Sequence, residues 1–280
     1  MERILVTTDF SENSASAIHF AKKWAEKQNL WLEFVYVMQP ERAREWDESG
    51  FNKFLKHETM IYEEKLKNFV QSVFSDENPA PVNSTYTVIT GITADNTIIE
   101  YCNQNPEIRF ICISTRGAGG LKKFLGTNTG NLIVKSEIPV IAVPSNYDVS
   151  RFEKVLYVSD LTNYDDEINK VISVATPWKV PVDVLNFYWP NEDAGDEILR
   201  QELYAKDYEY GFSLKFYPHH VSNTLAENIQ HYINENKPSL TVMFTQKQRT
   251  EQTFWQKLLN SSKTEKVSFE IQVPLLVFKK

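Results

Sequence analysis

The chain repeats itself, and the length of the repeat limits what it can fold into. Arg3-Ile-Leu-Val-Thr-Thr-Asp-Phe-Ser11 is echoed by Lys154-Val-Leu-Tyr-Val-Ser-Asp-Leu-Thr162, so that Asp9 corresponds to Asp160. Ala94-Asp-Asn-Thr-Ile-Ile-Glu-Tyr-Cys-Asn-Gln-Asn105 matches Leu225-Ala-Glu-Asn-Ile-Gln-His-Tyr-Ile-Asn-Glu-Asn236, keeping Ile98 with Ile229 and Tyr101 with Tyr232. A third echo sets Ile138-Pro-Val-Ile-Ala-Val143 beside Val273-Pro-Leu-Leu-Val-Phe278. The three occur in the same order at a spacing of about 130–150 residues, far beyond the roughly 20–50 residues of solenoid repeats, so a whole domain is duplicated. A chain of 280 residues accommodates two such domains, each able to bury its own core.

Within the first copy, short apolar runs alternate with longer segments of helical period. Strands are expected near 3–8, 31–38, 85–90, 109–114 and 138–143, with helices near 14–28, 43–74, 94–104 and 128–136. Such alternation builds βαβ units, and hence an α/β fold of two tandem, doubly wound, mostly parallel five-stranded sheets with helices on both faces. The polar connector near Ser145–Arg151 divides the chain into expected domains at 1–146 and 151–280. The second copy is shorter where the first carries the charged stretch Glu41–Phe74.

Composition narrows the function. The formal charge of −7 and scattered Lys and Arg residues argue against nucleic acid, which selects a basic face. Trp31, Trp178, Trp189 and Trp255 stand among aliphatic residues and suit packing better than base stacking. Apolar runs such as Phe110–Ile113 fall well short of the roughly 18 residues that span a bilayer, and Met1–Val6 enters a strand-like run at once. The expectation is a cytoplasmic protein without membrane partners. Cys102 and Cys112 are expected to be buried free thiols.

Ligands of open parallel sheets collect at the carboxyl ends of strands, where the strand order reverses. Asp9 ends the first strand, and Ser114–Gly130 follows the fourth with five of the chain's nine glycines. Glycines let backbone N–H groups approach a phosphate, and Thr127 and Thr129 add hydroxyls at a helix start. The same glycines would equally serve turns and close helix–sheet contact, and the sequence is no Walker A loop. Asp9 suits either a ribose hydroxyl or Mg²⁺, or the making of its own turn.

The strand-end Asp9, the Val35-Tyr-Val37 strand end, and the late glycine loop followed by Pro139-Val-Ile-Ala-Val143 together resemble universal stress proteins, in tandem over nearly the whole chain. The resemblance implies the adenine-nucleotide α-hydrolase-like fold and a stress-response role, with ATP, and Mg²⁺ beside it, as a regulatory ligand of the N-terminal domain. ATP-binding members carry two glycines two residues apart, then nine residues, then Gly followed by Ser or Thr. Gly117, Gly126 and Thr127 match the later part, whereas Ser114 replaces the first glycine and eight residues separate Gly117 from Gly126. Carried over, Asp9 and Val37 flank the nucleoside, and Gly117, Gly126, Thr127, Asn128 and Thr129 surround the phosphates. The resemblance also implies an intramolecular pseudo-dimer of the two domains, with their last strands meeting, and a possible homodimer.

The second copy reads differently. Its matching stretch, Phe244–Ser262, contains no glycine, so Asp160 is expected to be an inherited turn residue. His219 and His220 are adjacent and expected at the surface, and Asp165, Asp166 and Asp183 are expected to be solvated. The five histidines have no metal-site spacing, and no nucleophile elbow or Cys–His signature occurs, so neither a metal centre nor a catalytic residue is assigned. The alternative to ATP binding is a ligand-independent interaction and dimerisation module. A nucleotide hydrolase lacks an assignable base.

Overall fold

The computed structural model describes residues 1–42, 46–75, 78–115, 127–188, 201, 203, 210–219, 222–245 and 272–280. They form two units, Met1–Val149 with Lys279 and Ser150–Phe278 with Lys280. The first unit runs β1 (Arg3–Thr7), α1 (Ser14–Gln28), β2 (Trp31–Met38), α2 (Glu48–Ser72), β3 (Ser84–Thr90), α3 (Ala94–Gln104), β4 (Ile108–Ser114), α4 (Thr127–Lys135) and β5 (Val140–Val143). The second runs β6 (Val155–Val158), α5 (Tyr164–Ala175), a 3₁₀ turn at Thr176–Trp178, β7 (Val182–Tyr188), β8 (Phe212–Pro218), α6 (Leu225–Asn236), β9 (Leu240–Thr245) and β10 (Leu275–Lys279).

Strand order in the first unit is β3-β2-β1-β4-β5, with all four neighbouring pairs parallel. In the second it is β10-β9-β6-β7-β8, where β6 pairs in parallel with β7 and β9, and β7 with β8. The two orders correspond strand for strand, as the sequence echoes require. Central β1 buries Ile4, Leu5, Val6 and Thr7, and β5 buries all four of its residues, as a sheet covered on both faces demands. Helix α1 turns Ala17, Ile18, Phe20, Ala21, Trp24 and Ala25 inward at helical spacing, and ends where Asn29 takes the left-handed conformation and donates its N–H to the Ala25 carbonyl.

Helix α2 starts at Glu48, later than periodicity alone suggests, because Asp47 caps it by accepting the Gly50 N–H at 2.7 Å. Of its residues only Leu66 and Val70 are buried. Helix α6 opens on a full capping box: Thr224 Oγ1 accepts the Glu227 N–H and the Glu227 carboxylate accepts the Thr224 N–H.

Among its strand residues each unit also buries one carboxylate, in the same place. Glu33 of β2 receives Arg3 Nη1 at 3.3 Å, Thr87 Oγ1 at 3.0 Å and the Tyr101 hydroxyl at 2.5 Å. Asp183 of β7 receives Lys154 Nζ at 3.0 Å, Ser213 Oγ at 2.6 Å and the Tyr232 hydroxyl at 3.5 Å. Arg3 and Lys154, and Tyr101 and Tyr232, are partners in the sequence echoes, so the duplication preserved a buried acid with its base and its phenol. Asp183 is therefore not the solvated residue expected, since its charge is met by Lys154 and two hydroxyls. His219 is also buried rather than superficial, placed beside the end of β7 by its N–H bond to the Tyr188 carbonyl, while His220 lies outside the described residues. Cys102 and Cys112 are buried free thiols. Burial, then Glu33, pushes the Cys102 thiol up to about 12, and burial alone pushes Cys112 higher still. Among the described residues no helix is long and apolar enough to cross a membrane.

Candidate functional site

In the first unit the chain leaves β1 for β2 and β3 on one side, then crosses back to place β4 and β5 on the other. The order reverses between β1 and β4, and the crevice outside the carboxyl ends of such a pair is where open α/β sheets hold ligands. Asp9 follows β1 at this edge, and Ser114 closes β4.

Asp9 is exposed and shapes its own turn. Its Oδ1 accepts the Ser11 N–H at 3.0 Å, the Ser11 hydroxyl at 2.6 Å and the Ser14 hydroxyl at 3.1 Å. Between them Phe10 sits at φ 63°, a conformation a bulky side chain seldom adopts, and Thr8 Oγ1 accepts its N–H at 3.0 Å. The second unit repeats this turn: Leu161 has φ 63°, Ser159 Oγ accepts its N–H at 3.0 Å, and Asp160 Oδ1 accepts the Thr162 N–H at 3.0 Å and hydroxyl at 2.7 Å. Turn-making is thus shared by both aspartates.

Helix α4 is tied down at both ends. Buried Thr129 donates its hydroxyl to the Ser114 carbonyl at 3.0 Å, which fixes the first turn of α4 against the end of β4. Farther along, Asp95 of α3 accepts Asn131 Nδ2 at 3.0 Å and Lys135 Nζ at 2.8 Å. Thr127 and Asn128 are exposed at the helix start, where the positive end of the helix dipole favours an anion. The Thr129 hydroxyl expected near phosphate is engaged inside the fold, so backbone is what this residue presents at the helix start. Val37 lies half-buried in β2, in register with Ile89 of β3. Gly117 and Gly126 lie outside the described residues. Among the described residues no cluster of His, Cys, Asp and Glu could hold a metal ion.

An aromatic group beside Asp9 escaped the sequence reading. The Phe10 ring lies 4.5 Å from Tyr36, 6.3 Å from Tyr62 and 5.7 Å from Phe69, with Lys65 Nζ 4.5 Å from its centroid. Burial, then Tyr62 and the charge of Asp9, raise the Tyr36 hydroxyl above its usual range, so Tyr36 remains a neutral donor at pH 7. These partners come from β2 and α2, and no local pattern at Phe10 announces them.

A search of curated proteins finds no match. Among solved structures, the chain is similar to a universal stress protein from Archaeoglobus fulgidus, with 16% identity, 99% of this chain and 98% of that one covered, and a TM-score of 0.65. It is also similar to a candidate universal stress protein from Pseudomonas aeruginosa, at 16% identity over 100% of this chain and 93% of the other, with a TM-score of 0.60. At these identities the likeness establishes the fold, which in both cases extends over the two units. The sequence profile described as the Universal stress protein family matches residues 1–144, more than half of the chain, and the chain belongs to that family.

Proposed function

We propose that the first unit binds one ATP, accompanied by Mg²⁺, as a regulatory ligand in a stress response, and does not turn it over. The observation that carries this reading is the position of Asp9 and of the α4 start, at the carboxyl ends of β1 and β4, the adjacent strands between which the order reverses. Asp9 accepts a ribose hydroxyl. The N–H groups at Thr127, Asn128 and Thr129 meet the phosphates, with Gly117 and Gly126 allowing close backbone approach and Val37 lying against the nucleoside. Membership in the family supports the ligand class. With no general base or nucleophile assigned beside the crevice among the described residues, the reading is of a ligand that is held and sensed.

Calorimetric titration of Mg²⁺-ATP into the full chain tests it, followed by chromatography for ADP. One site per chain and intact nucleotide are expected. Asp9→Asn should weaken binding by roughly 10-fold, the cost of one charged hydrogen bond. Gly126→Val should weaken it by obstructing phosphate approach, and Asp160→Ala should leave it unchanged. Absence of binding at millimolar ATP would favour the ligand-independent interaction module, and appearance of ADP would favour a hydrolase.

A further inference from the structure

The two strand-end turns are built alike, but what faces them differs. The spacing that carries Asp9 onto Asp160 carries Ser16 onto Glu167, and the spacing that carries Pro139 onto Pro274 carries Ser145 onto Lys280. These corresponding positions meet in both units, through different groups. Ser16 of α1 donates its hydroxyl to the Ser145 carbonyl at 2.5 Å, and Lys280 stands 3.0 Å from Oε1 of Glu167 in α5. A link between two serines in the first unit has become an ion pair in the second.

The longer, charged pair reaches farther. Lys280 Nζ lies 2.9 Å from each carboxylate oxygen of Asp160 and 2.9 Å from Thr162 Oγ1. Its side chain is only 9% exposed and that of Glu167 5%. The second Glu167 oxygen accepts the Tyr157 hydroxyl, which in turn receives Ser159 Oγ at 2.9 Å. An ammonium so withdrawn from water is tolerable only because two carboxylates surround it. Asp160, Glu167 and Lys280 themselves line one side of a cavity of about 150 Å³, whose other walls include Phe187, Leu225, Met243 and Phe244. That is smaller than the roughly 300–1,000 Å³ of common ligand pockets.

We propose that the Lys280 ammonium is a built-in occupant of the strand-end site of the second unit, filling it with a cation from the chain itself and closing it to outside ligands. The strand-end carboxylates of the second unit then hold an internal cation, whatever the first unit binds. The proposal does not depend on ATP being the ligand there, and its test uses no nucleotide.

Lys280→Ala in the full chain removes three methylene groups and the ammonium, a fragment that propylammonium restores. Melting of this variant should fall by roughly 5 °C or more, because two carboxylates lose the Lys280 ammonium. Propylammonium chloride should then recover the loss in a saturable manner, beyond what sodium chloride or 1-propanol achieves at equal concentration. In Asp160→Asn/Glu167→Gln/Lys280→Ala the amine should have no such effect. An unchanged melting temperature in Lys280→Ala, or recovery by sodium chloride equal to that by the amine, would overturn the proposal. If Lys280→Ala does not fold, the Nζ proton resonance of Lys280 decides: exchange-protected in the wild type and lost in Asp160→Asn is the expected result, and no protected signal in the wild type contradicts it.

Discussion

Tyr101 and Tyr232 hold one position in two copies of a buried network, and their unequal geometry has a measurable consequence. The Tyr101 hydroxyl is 2.5 Å from Glu33 and Tyr232 is 3.5 Å from Asp183. Burial, then Glu33, push the Tyr101 hydroxyl up to about 12, so it stays a donor across the physiological range. Tyr101→Phe leaves a buried carboxylate short of a partner and should cost about 1–3 kcal/mol, whereas Tyr232→Phe should cost less, both read from urea unfolding. Asp95 gives a prediction with pH. Burial alone would raise its pKa, but the Lys135 and Thr93 hydrogen bonds, the charge of Lys135 and the Asn96 backbone outweigh it, and the folded value is lowered. A lowered folded value means stability present above the unfolded pKa of about 3.9 and lost as pH falls through the folded one. Acid unfolding of Asp95→Asn should therefore be shallower below pH about 4 than that of the wild type. Asp95 lies at the helix start where an acid is expected from sequence. Its partners Asn131 and Lys135 belong to another helix and are visible only in the fold.

Helix α4 carries a glycine in its body, at Gly130, although glycine weakens a helix by up to about 1 kcal/mol relative to alanine. A methyl group there would meet nothing within 4 Å, so Gly130→Ala should raise the melting temperature by a few degrees. Gly91 is the opposite case, since a Cβ would fall 1.9 Å from Thr97 Oγ1, and Gly91→Ala should lower it. At the scale of elements most of the fold was legible, because strand and helix periods are local and β1, α1, β2 and α3 begin and end where apolar spacing and turn residues say they should. The start of α2 was less so: helical period runs on through residues before Asp47, and the cap that decides the boundary is a single side-chain bond. Least legible were Asp183 and Lys280. Asp183 is buried by Lys154, Ser213 and Tyr232, and Lys280 is drawn onto Asp160 and Glu167, in each case through the folded sheet.

At the scale of the whole molecule, the duplication explains both what the units share and how they part. They share strand order, a strained strand-end turn with φ 63° at its second residue, and a buried acid–base–tyrosine network. They differ around the strand-end aspartate, where the first copy is followed by a glycine-rich segment and Ser145, and the second by a glycine-free segment and Lys280. Phosphate approach needs backbone left bare of side chains, and the strand-end carboxylate of the second unit already carries the ammonium of Lys280. With the proposed nucleotide in the first unit and Lys280 in the second, the chain is an asymmetric pair. Native mass spectrometry of the full chain with saturating Mg²⁺-ATP counts the sites directly: one nucleotide per chain is the predicted result, and two nucleotides or none would contradict it.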